Sequence, residues 1–538
     1  MASPKFTRKF ALQPRSSECL PGNEFSNGDL DPVPMTRRTW NWYSVGGFWI
    51  SEGFQIPILQ MAGSLIAGGL SPGMAMGAIV LGTCLVMIPC ALTGYVGAKT
   101  GLNYPVMNRA CWGLHGSKFA VAVRGVVAIF WCGVQFSTGG ACVYQMLKAM
   151  SPALDENIPN RLPESANITS VNLLCFFLFW LISLPFLYIN VSRLRWLFLV
   201  KLIVMPIGGL ALFIWAVVMA KGFGPIFSQS TSASSGQTVA FVFMSAITSA
   251  IGPQATFALN MGDFCRYAKS PRGALWSQVI MMPICITLTA FLGVTLASAS
   301  AVIYNLDKPE WNPLNVIDLF ESRAAAFFVS FMFAFATLCT NIAGNTVAFG
   351  NDLMALMPKW VDVRRGQFIC AVLAICTTPW NILNSSTNFL QFLNGYSVFL
   401  GPMCGIMLCD YWILRCGYLN LEQLYTRNGF YWYTKGWNFR AASAFLIALV
   451  PGLPGLASGV SPKVDIPQGF RNVYTLNWLV GVVIASVVYY GLSIAFSVPA
   501  ESLTEGSRED RAQDWLLTGQ ACVYTVEEVQ LAKDEAIA

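Results

Sequence analysis

The sequence has almost no histidine and little charge. Its 538 residues include one histidine, His115, and charged residues make up 11% of the chain. A lone histidine excludes a histidine-rich metal centre, and no nucleophile–base pair accompanies it, so the sequence offers no support for an enzyme. With so few charges, most of the chain cannot form the surface of a water-soluble domain. We interpret His115, in the segment CWGLHGSKF, as a loop contact rather than a catalyst.

Two further absences narrow the function. The 16 cysteines include no C-x-x-C pair, which argues against a metal site and leaves them as reduced, small residues of apolar segments. The net charge is +6, but the Lys and Arg residues form no basic block, so we expect no nucleic-acid partner. Residues 1–40 are polar and lack the apolar core of a signal peptide, and we expect them to be a cytosolic tail.

The sequence does contain many long apolar segments. Hydrophobic residues make up 55% of the chain and the mean hydropathy is +0.54. A helix needs about 20 apolar residues to cross a bilayer. The segments that meet this requirement predict an all-α polytopic membrane protein with 12 transmembrane helices, placed in a transporter domain over residues 41–500. These spans cover approximately residues 43–69, 73–98, 123–147, 171–191, 196–220, 239–260, 274–303, 325–350, 367–384, 388–414, 441–458 and 476–498.

The distribution of cations predicts the orientation. Placing both termini in the cytosol puts every Lys and Arg on the cytosolic side except Lys148, Arg161, Lys221, Lys308, Arg323, Lys463 and Arg471. That bias is typical of cytoplasmic loops, and we expect a multi-pass protein of the plasma membrane. The NIT sequon at Asn167 then falls in an outer loop. Residues 501–538 form a polar cytosolic tail, in which Lys533 is a candidate acceptor for a ubiquitin ligase.

Two spans contain helix breakers at their middle. Span 1 carries SEGFQIP, with Gly53 and Pro57, and span 6 carries SAIGPQATFALN, with Gly252 and Pro253. Glycine weakens a helix and proline removes a backbone donor, so both spans are predicted to be broken. They are the first members of two five-span halves, which indicates a transporter with inverted repeats and a binding site at the breaks.

Polar side chains at membrane depth form two amide-bearing faces. Trp131 and Gln135 are four residues apart in span 3, and span 8 contains Asn341 and Asn345 at the same spacing. An amide offers a hydrogen-bond acceptor beside donors, while an indole stacks on a flat ring. The set therefore suits a planar heterocycle with lactam edges. For each residue alone, helix-to-helix packing remains an equal interpretation.

Glu52 is the acidic residue within span 1. A carboxylate there is costly when charged, so Glu52 can take up and release a proton beside the predicted break. The alternative is that it pairs with a polar partner in span 6 or 8 and holds a gate. Asp263, Arg266 and Asp410 lie near cytosolic ends of spans and indicate interfacial pairing or gating, whereas Asp352 fits either substrate contact or gating.

Several long segments together resemble one family. These segments are NWYSVGGFWISEGFQIP, NRACWGLHGSKFAVAVRGVVAIFWCGVQ, NMGDFCRYAKSPR, CTNIAGNTVAFGNDL and GPMCGIMLCDYWILR. They are similar to segments of the nucleobase:cation symporter-1 family, in its fungal uracil and allantoin permease branch. The resemblance covers about residues 30–500. It implies a leucine-transporter-like fold of ten core spans (a 5+5 repeat) plus two, alternating access, Trp131 stacking on the substrate, Gln135 as its amide partner and Asn345 as a substrate contact.

The chain departs from the bacterial hydantoin-type members at two places. Where they carry a second stacking aromatic, this chain has Gln254, with Phe257 one turn on. Where their sodium ion takes hydroxyls from a Ser-Thr pair, this chain has Cys339 and Thr340, and a thiol is a poor ligand for a hard cation. We therefore expect proton coupling rather than sodium coupling, with Glu52 and Thr340 as the candidate coupling or gating residues and with no further cofactor and no metal.

The resemblance and the amide faces together predict an importer of uracil, allantoin or uric acid by proton symport. A nucleoside or thiamine permease of the same fold is the alternative. An amino-acid carrier is less consistent with the sequence. The carboxylate of such a substrate would need a compensating positive charge, and the sequence shows none near the predicted breaks.

Overall fold

The computed structural model describes residues 25–189, 195–223, 227–228, 238–461 and 463–496. This part of the chain is helical, and its only β pairing consists of two isolated bridges. The helices are α1 Trp42–Gly53, α2 Ile56–Ala67, α3 Pro72–Thr100, α4 Tyr104–Trp112, α5 Gly116–Met150, α6 Leu154–Asn157, α7 Ser170–Tyr188, α8 Arg195–Met219, α9 Val239–Ile251, α10 Phe257–Asn260, α11 Gly262–Cys265, α12 Pro271–Tyr304, α13 Pro313–Asp318, α14 Arg323–Thr340, α15 Val347–Leu356, α16 Val363–Cys376, α17 Ser386–Leu408, α18 Phe439–Leu449, α19 Leu453–Val460, α20 Gln468–Tyr474 and α21 Asn477–Ala495.

Many of these helices can cross a membrane. By length and composition, the described residues contain 8 such spans, or up to 10 if each of two bent pairs counts as one span. The bent pairs are α9 with α10–α11, at 48°, and α18 with α19, at 53°. The remaining two predicted spans are span 1, which consists of two helices of 12 residues, and span 9, whose helix has 14. The chain is therefore a multi-pass membrane protein, while the count of twelve and the repeat stay predictions.

The first span is interrupted where its sequence predicted. Helix α1 ends at Gly53, and Gln55 adopts an extended backbone with φ −144° and ψ 150° before α2 begins at Ile56. Pro57 lies in the first turn of α2, where a missing N–H leaves no intrahelical bond unmade. The helical backbone is thus interrupted between α1 and α2, next to Glu52.

The sixth span is also broken as predicted. Helix α9 ends at Ile251, and a 3-10 turn over Gly252–Gln254 leads towards α10. A Cβ at Gly252 would approach the Cβ of Leu393 on α17 to 2.9 Å, so the turn packs too closely for a larger residue. Both breaks face other helices of the bundle.

Two π-helical turns were not predicted. One spans Asn341–Thr346 and joins α14 to α15, and the other spans Cys409–Leu414 after α17. A π turn takes one residue more than an α turn and is frequent at functional sites. The first of these turns contains both asparagines of the span 8 amide face.

The N-terminal segment lies across one end of the bundle. The backbone N–H of Val33 donates to the carbonyl of Gly101 at 3.0 Å, and that of Trp40 donates to the carbonyl of Tyr267 at 2.9 Å. The hydroxyl of Tyr425 donates to the carbonyl of Leu30 at 2.8 Å. We call this end of the bundle, where α3 and α15 end and α5 begins, the N-terminal face.

Glycine lets α3 approach α11 closely. A Cβ added at Gly97 would overlap the backbone of Gly262, whereas one added at Gly73, on the same helix, meets nothing within 4 Å. Gly97→Ala is expected to destabilise the protein by about 1 to 3 kcal/mol through overpacking. Thermal unfolding of the purified protein in detergent measures the effect, with Gly73→Ala as the matched control. Equal unfolding midpoints for the two variants would contradict close packing at Gly97.

Candidate functional site

Helix α5 turns its polar face towards the first break. Trp131 and Gln135 are both buried, with exposed fractions of 5% and 1%. The Nε2 of Gln135 donates to the Oε1 of Gln55 at 3.2 Å, and Gln55 is the extended residue between α1 and α2. The predicted amide on span 3 therefore meets the predicted break in span 1. Gln55 was not singled out from the sequence, although a glutamine beside a helix breaker was an available signal.

The π turn brings the second amide face against the same helix. The Nδ2 of Asn345 donates to the Oδ1 of Asn341 at 3.0 Å. The Nδ2 of Asn341 donates to the carbonyl of Cys132, the neighbour of Trp131, at 3.4 Å. Asn341 is buried and Asn345 is half-buried. The four predicted residues on spans 3 and 8 thus form one cluster, which we call the amide cluster.

Helix α17 contributes aromatic rings to this cluster. The ring centroids of Phe392 and Tyr396 lie 5.5 Å and 6.3 Å from that of Trp131, with interplanar angles of 63° and 72°. Both contacts are edge-on, an arrangement favoured by the ring quadrupoles. Tyr396 was missed by sequence reasoning, and its only signal was a tyrosine hydroxyl in an apolar span.

The second break supplies the other two predicted substrate contacts. Gln254 is buried in the 3-10 turn, and among the described residues it forms no hydrogen bond with the amide cluster. The Phe257 ring packs edge-on against Phe48 and Trp49 of α1, with centroids 5.8 Å and 5.7 Å apart. Within the described part of the chain, Phe257 makes no ring contact with Trp131. The structure therefore places Phe257 between the two broken spans.

Several buried polar atoms at the site have no hydrogen-bond partner among the described residues. They are Gln135 Oε1 and Gln254 Nε2, together with Trp131 Nε1 and the Tyr396 hydroxyl, which interact with each other outside standard hydrogen-bond geometry. An unsatisfied buried polar group costs about 1 to 3 kcal/mol, so each atom gains from a ligand that supplies its partner. Two N–H donors, one carbonyl acceptor and one hydroxyl match a ring that carries both C=O and N–H groups.

Glu52 has a charged partner that the sequence analysis did not identify. The Nζ of Lys201 lies 3.6 Å from the Oε1 of Glu52, and the two side chains are 0% and 2% exposed. Lys201 belongs to α8, so the expectation of a partner in span 6 or 8 is wrong for the ion pair. The error arose because Lys201 was counted among the loop cations, whereas the structure places it inside the helix.

The same lysine binds the hydroxyl predicted for coupling. Lys201 Nζ donates to the Oγ1 of Thr340 at 2.5 Å. The Oε2 of Glu52 has no hydrogen-bond partner in the described structure, and a Cβ at Gly344 would lie 3.4 Å from it. Glu52 therefore faces the π turn of span 8 on one side and an ammonium group on the other. The positive charge beside Thr340 disfavours a second cation at that hydroxyl.

The other acidic residues named in the sequence analysis lie near the N-terminal face. Asp352 forms a buried ion pair with Arg124, which favours the gating interpretation over substrate contact. Asp263 accepts a hydrogen bond from the backbone N–H of Tyr104 at 2.7 Å. Asp410 pairs with Arg415 at 2.7 Å, as its interfacial position indicated.

His115 and Arg266 also lie at this face. The His115 ring lies 6.0 Å from that of Phe25 and 5.0 Å from that of Trp432. Arg266 donates to the backbone carbonyls of Asp29 and Asp31 at 3.0 Å and 2.9 Å. Both residues therefore join the N-terminal segment or the loop near Trp432 to the ends of the helices.

Known proteins are similar to this chain in sequence. Residues 32–481 match the family described as permease for cytosine/purines, uracil, thiamine, allantoin. The uracil permease of Saccharomyces cerevisiae is 33% identical over 88% of this chain and 76% of its own length. The allantoin permease of the same yeast is 32% identical over 91% and 80%.

A solved structure shows a similar fold. The structure of Mhp1, a nucleobase-cation-symport-1 family transporter with bromovinylhydantoin bound, superposes with a TM-score of 0.69. It is 20% identical in sequence, and the match covers 91% of this chain and 100% of that one. The helical bundle, the relatives and the motifs agree: the chain belongs to the family of permeases for cytosine and purines, uracil, thiamine and allantoin.

Proposed function

We propose that this permease imports a nucleobase-like oxo-heterocycle, namely uracil, allantoin or uric acid, by proton symport with alternating access. The observation that carries the proposal is the amide cluster beside the first break. Its indole offers a stacking surface, and its unsatisfied atoms offer both donors and an acceptor. A planar lactam presents the complementary groups on one edge.

A competition assay tests the substrate class. Transporter-null cells that express the chain take up one labelled heterocycle, and unlabelled uracil, allantoin, uric acid, uridine and thiamine are added in turn. We expect one of the first three to compete most strongly. If none of the panel competes, the substrate class is wrong.

A nucleoside or thiamine permease is the second candidate. A uridine permease from Saccharomyces cerevisiae is 33% identical over 88% of this chain, as similar as the uracil permease. A nucleoside adds a ribose to the same lactam edge, so the amide cluster alone does not distinguish the two. Stronger competition by uridine than by uracil would favour the nucleoside.

The ion pair of Glu52 supports a proton as the coupling ion. Lys201 places its ammonium group against Thr340, the hydroxyl that a sodium ion would use. Glu52 retains one oxygen without a hydrogen-bond partner in the described residues, and that oxygen faces the π turn. A proton taken up by Glu52 would break its ion pair with Lys201, so protonation there would favour a rearrangement of the two helices, as coupling requires.

The location and the tails belong to the same proposal. We place the permease in the plasma membrane with both termini in the cytosol, so that the N-terminal face is cytosolic. The C-terminal tail with Lys533, the candidate ubiquitin acceptor, lies outside the described residues, as do residues 1–24. The sequon residue Asn167 is exposed, and its Nδ2 donates to the Oδ1 of Asn381 at 3.1 Å.

Tyr396 is expected to bind the substrate through its hydroxyl. The hydroxyl is buried beside the Trp131 indole N–H, which can only donate, so the O–H proton of Tyr396 is available to a substrate acceptor. Tyr396→Phe should raise the KM for uptake about threefold to tenfold, the value of one hydrogen bond. Tyr411→Phe is the matched control, because it removes another buried unpartnered hydroxyl in the continuation of the same helix at the N-terminal face. An unchanged KM in Tyr396→Phe would exclude the hydroxyl from substrate binding.

A further inference from the structure

Arg109 is a buried cation without a carboxylate partner. Its side chain is 4% exposed on α4. Two of the other buried arginines, Arg124 and Arg415, each pair with an aspartate, whereas no carboxylate of the described residues lies within 4.0 Å of Arg109. The negative charge of Asp31 acts on Arg109 from a greater distance, but a buried charge without a direct ion pair is costly, so an occupant that supplies one stabilises this site.

The protein uses only part of the hydrogen-bonding capacity of the Arg109 guanidinium. Its guanidinium carbon lies 6.0 Å from the Phe25 ring centroid and 5.0 Å from that of Tyr425. Its Nη1 donates to the carbonyl of Leu424 at 3.2 Å, which is its one hydrogen bond to the described residues. A guanidinium has five N–H donors, so most of this group's capacity is available to a ligand. The two rings fix its plane.

Arg109 opens into a cavity that contains a second cation. The lining includes Phe25, Arg109, Ser117, Lys118, Leu356 and Pro358, and it has no acidic side chain. Lys118 is exposed and belongs to the first turn of α5. The backbone N–H groups of that turn are already used, since Gly116 donates to Gly436 and Lys118 to His115. An anion in the cavity would therefore be held by the two side chains.

The cavity also lies at the ends of two helices that are long and apolar enough to span a membrane. It sits between the start of α5 at Gly116 and the end of α15 at Leu356, two helices that belong to membrane spans. Arginine binds phosphate with two parallel hydrogen bonds, and basic pockets at this level bind anionic headgroups. We propose that this cavity binds a phosphate group, carried by an anionic lipid of the adjacent leaflet or by a small soluble phosphate.

Binding to the purified full-length protein tests the site. Dioctanoyl phosphatidylinositol 4-phosphate is titrated and its dissociation constant is measured, with dioctanoyl phosphatidylcholine as the zwitterionic comparison. Arg109→Gln is expected to weaken binding at least tenfold and Lys118→Glu about threefold to tenfold. Lys269→Gln removes an exposed cation from the same face outside the cavity and is expected to leave binding unchanged.

The outcomes separate the sources and the alternatives. Inorganic phosphate that displaces the lipid at equal concentration would identify a soluble phosphate as the ligand, whereas no displacement supports the lipid. If Arg109→Gln fails to fold, Lys118→Glu still decides, because Lys118 is exposed. Unchanged binding in Lys118→Glu and in folded Arg109→Gln, or an equal loss in Lys269→Gln, would overturn the proposal.

Discussion

Glu52→Gln is expected to abolish uphill accumulation of substrate and to flatten the pH dependence of uptake. Glutamine keeps the shape and hydrogen bonding of Glu52 but cannot titrate. In the wild type, uptake should rise as the external pH falls, because protonation of the coupling group accompanies import. The variant should retain substrate binding and exchange, since the amide cluster is unchanged. Accumulation against a gradient with the wild-type pH profile would show that Glu52 is not the coupling group.

The ion pair requires a control for folding. Breaking a buried pair by removing one partner costs about 3 to 5 kcal/mol, because the other charge is left uncompensated. The double variant Glu52→Gln/Lys201→Met removes both charges, and it should restore surface delivery if either single variant loses it. Glu422→Gln, which removes an exposed carboxylate, should leave accumulation intact. If the double variant accumulates substrate, the pair is structural rather than coupling.

Gln135→Ala and Asn345→Ala are each expected to reduce kcat/KM for uptake by roughly fivefold to a hundredfold while the protein still reaches the cell surface. Gln135→Ala removes a substrate contact and also leaves Gln55 without its amide partner. Asn345→Ala removes the donor that orients Asn341. A buried group left unsatisfied costs about 1 to 3 kcal/mol, equivalent to roughly fivefold to more than a hundredfold in binding.

Gln145→Ala provides the matched control for these variants. Gln145 is also buried on α5, nearly three turns beyond Gln135. Its loss should leave kcat/KM near the wild-type value. Wild-type kinetics in Gln135→Ala or Asn345→Ala would remove that residue from the site, and an equal loss in Gln145→Ala would indicate general damage to the helix.

The sequence predicted the breaks and the amide cluster because each has a local cause. Proline and glycine act on their own turn of helix, so Gly53, Pro57 and Gly252 place the breaks directly. A spacing of four residues puts two side chains on one helix face whatever surrounds the helix. The span order of the family indicates which of these helix faces contact each other. The structure gives the distances between their side chains.

The partner of Glu52 could not be predicted in the same way. Lys201 lies near the beginning of an apolar segment, where a lysine usually extends to the membrane surface. Only the packing of α8 against α1 and α14 shows that its ammonium turns inward. The π turn was missed for a related reason, since its extra residue changes helical register without a characteristic residue type.

The π turn at Asn341–Thr346 also sets the tolerance of span 8 to deletion. A π turn absorbs its extra residue locally, so loss of one residue there would restore α-helical geometry while the helix beyond keeps its orientation. Asp352 lies beyond the turn on α15, and Arg124 is fixed on another helix, so the carboxylate would still face the guanidinium, whereas loss of one residue from α15 before Asp352 would turn it away by about 100°. In relatives, a gain or loss of one residue in this turn is therefore expected without a change at position 124 or 352.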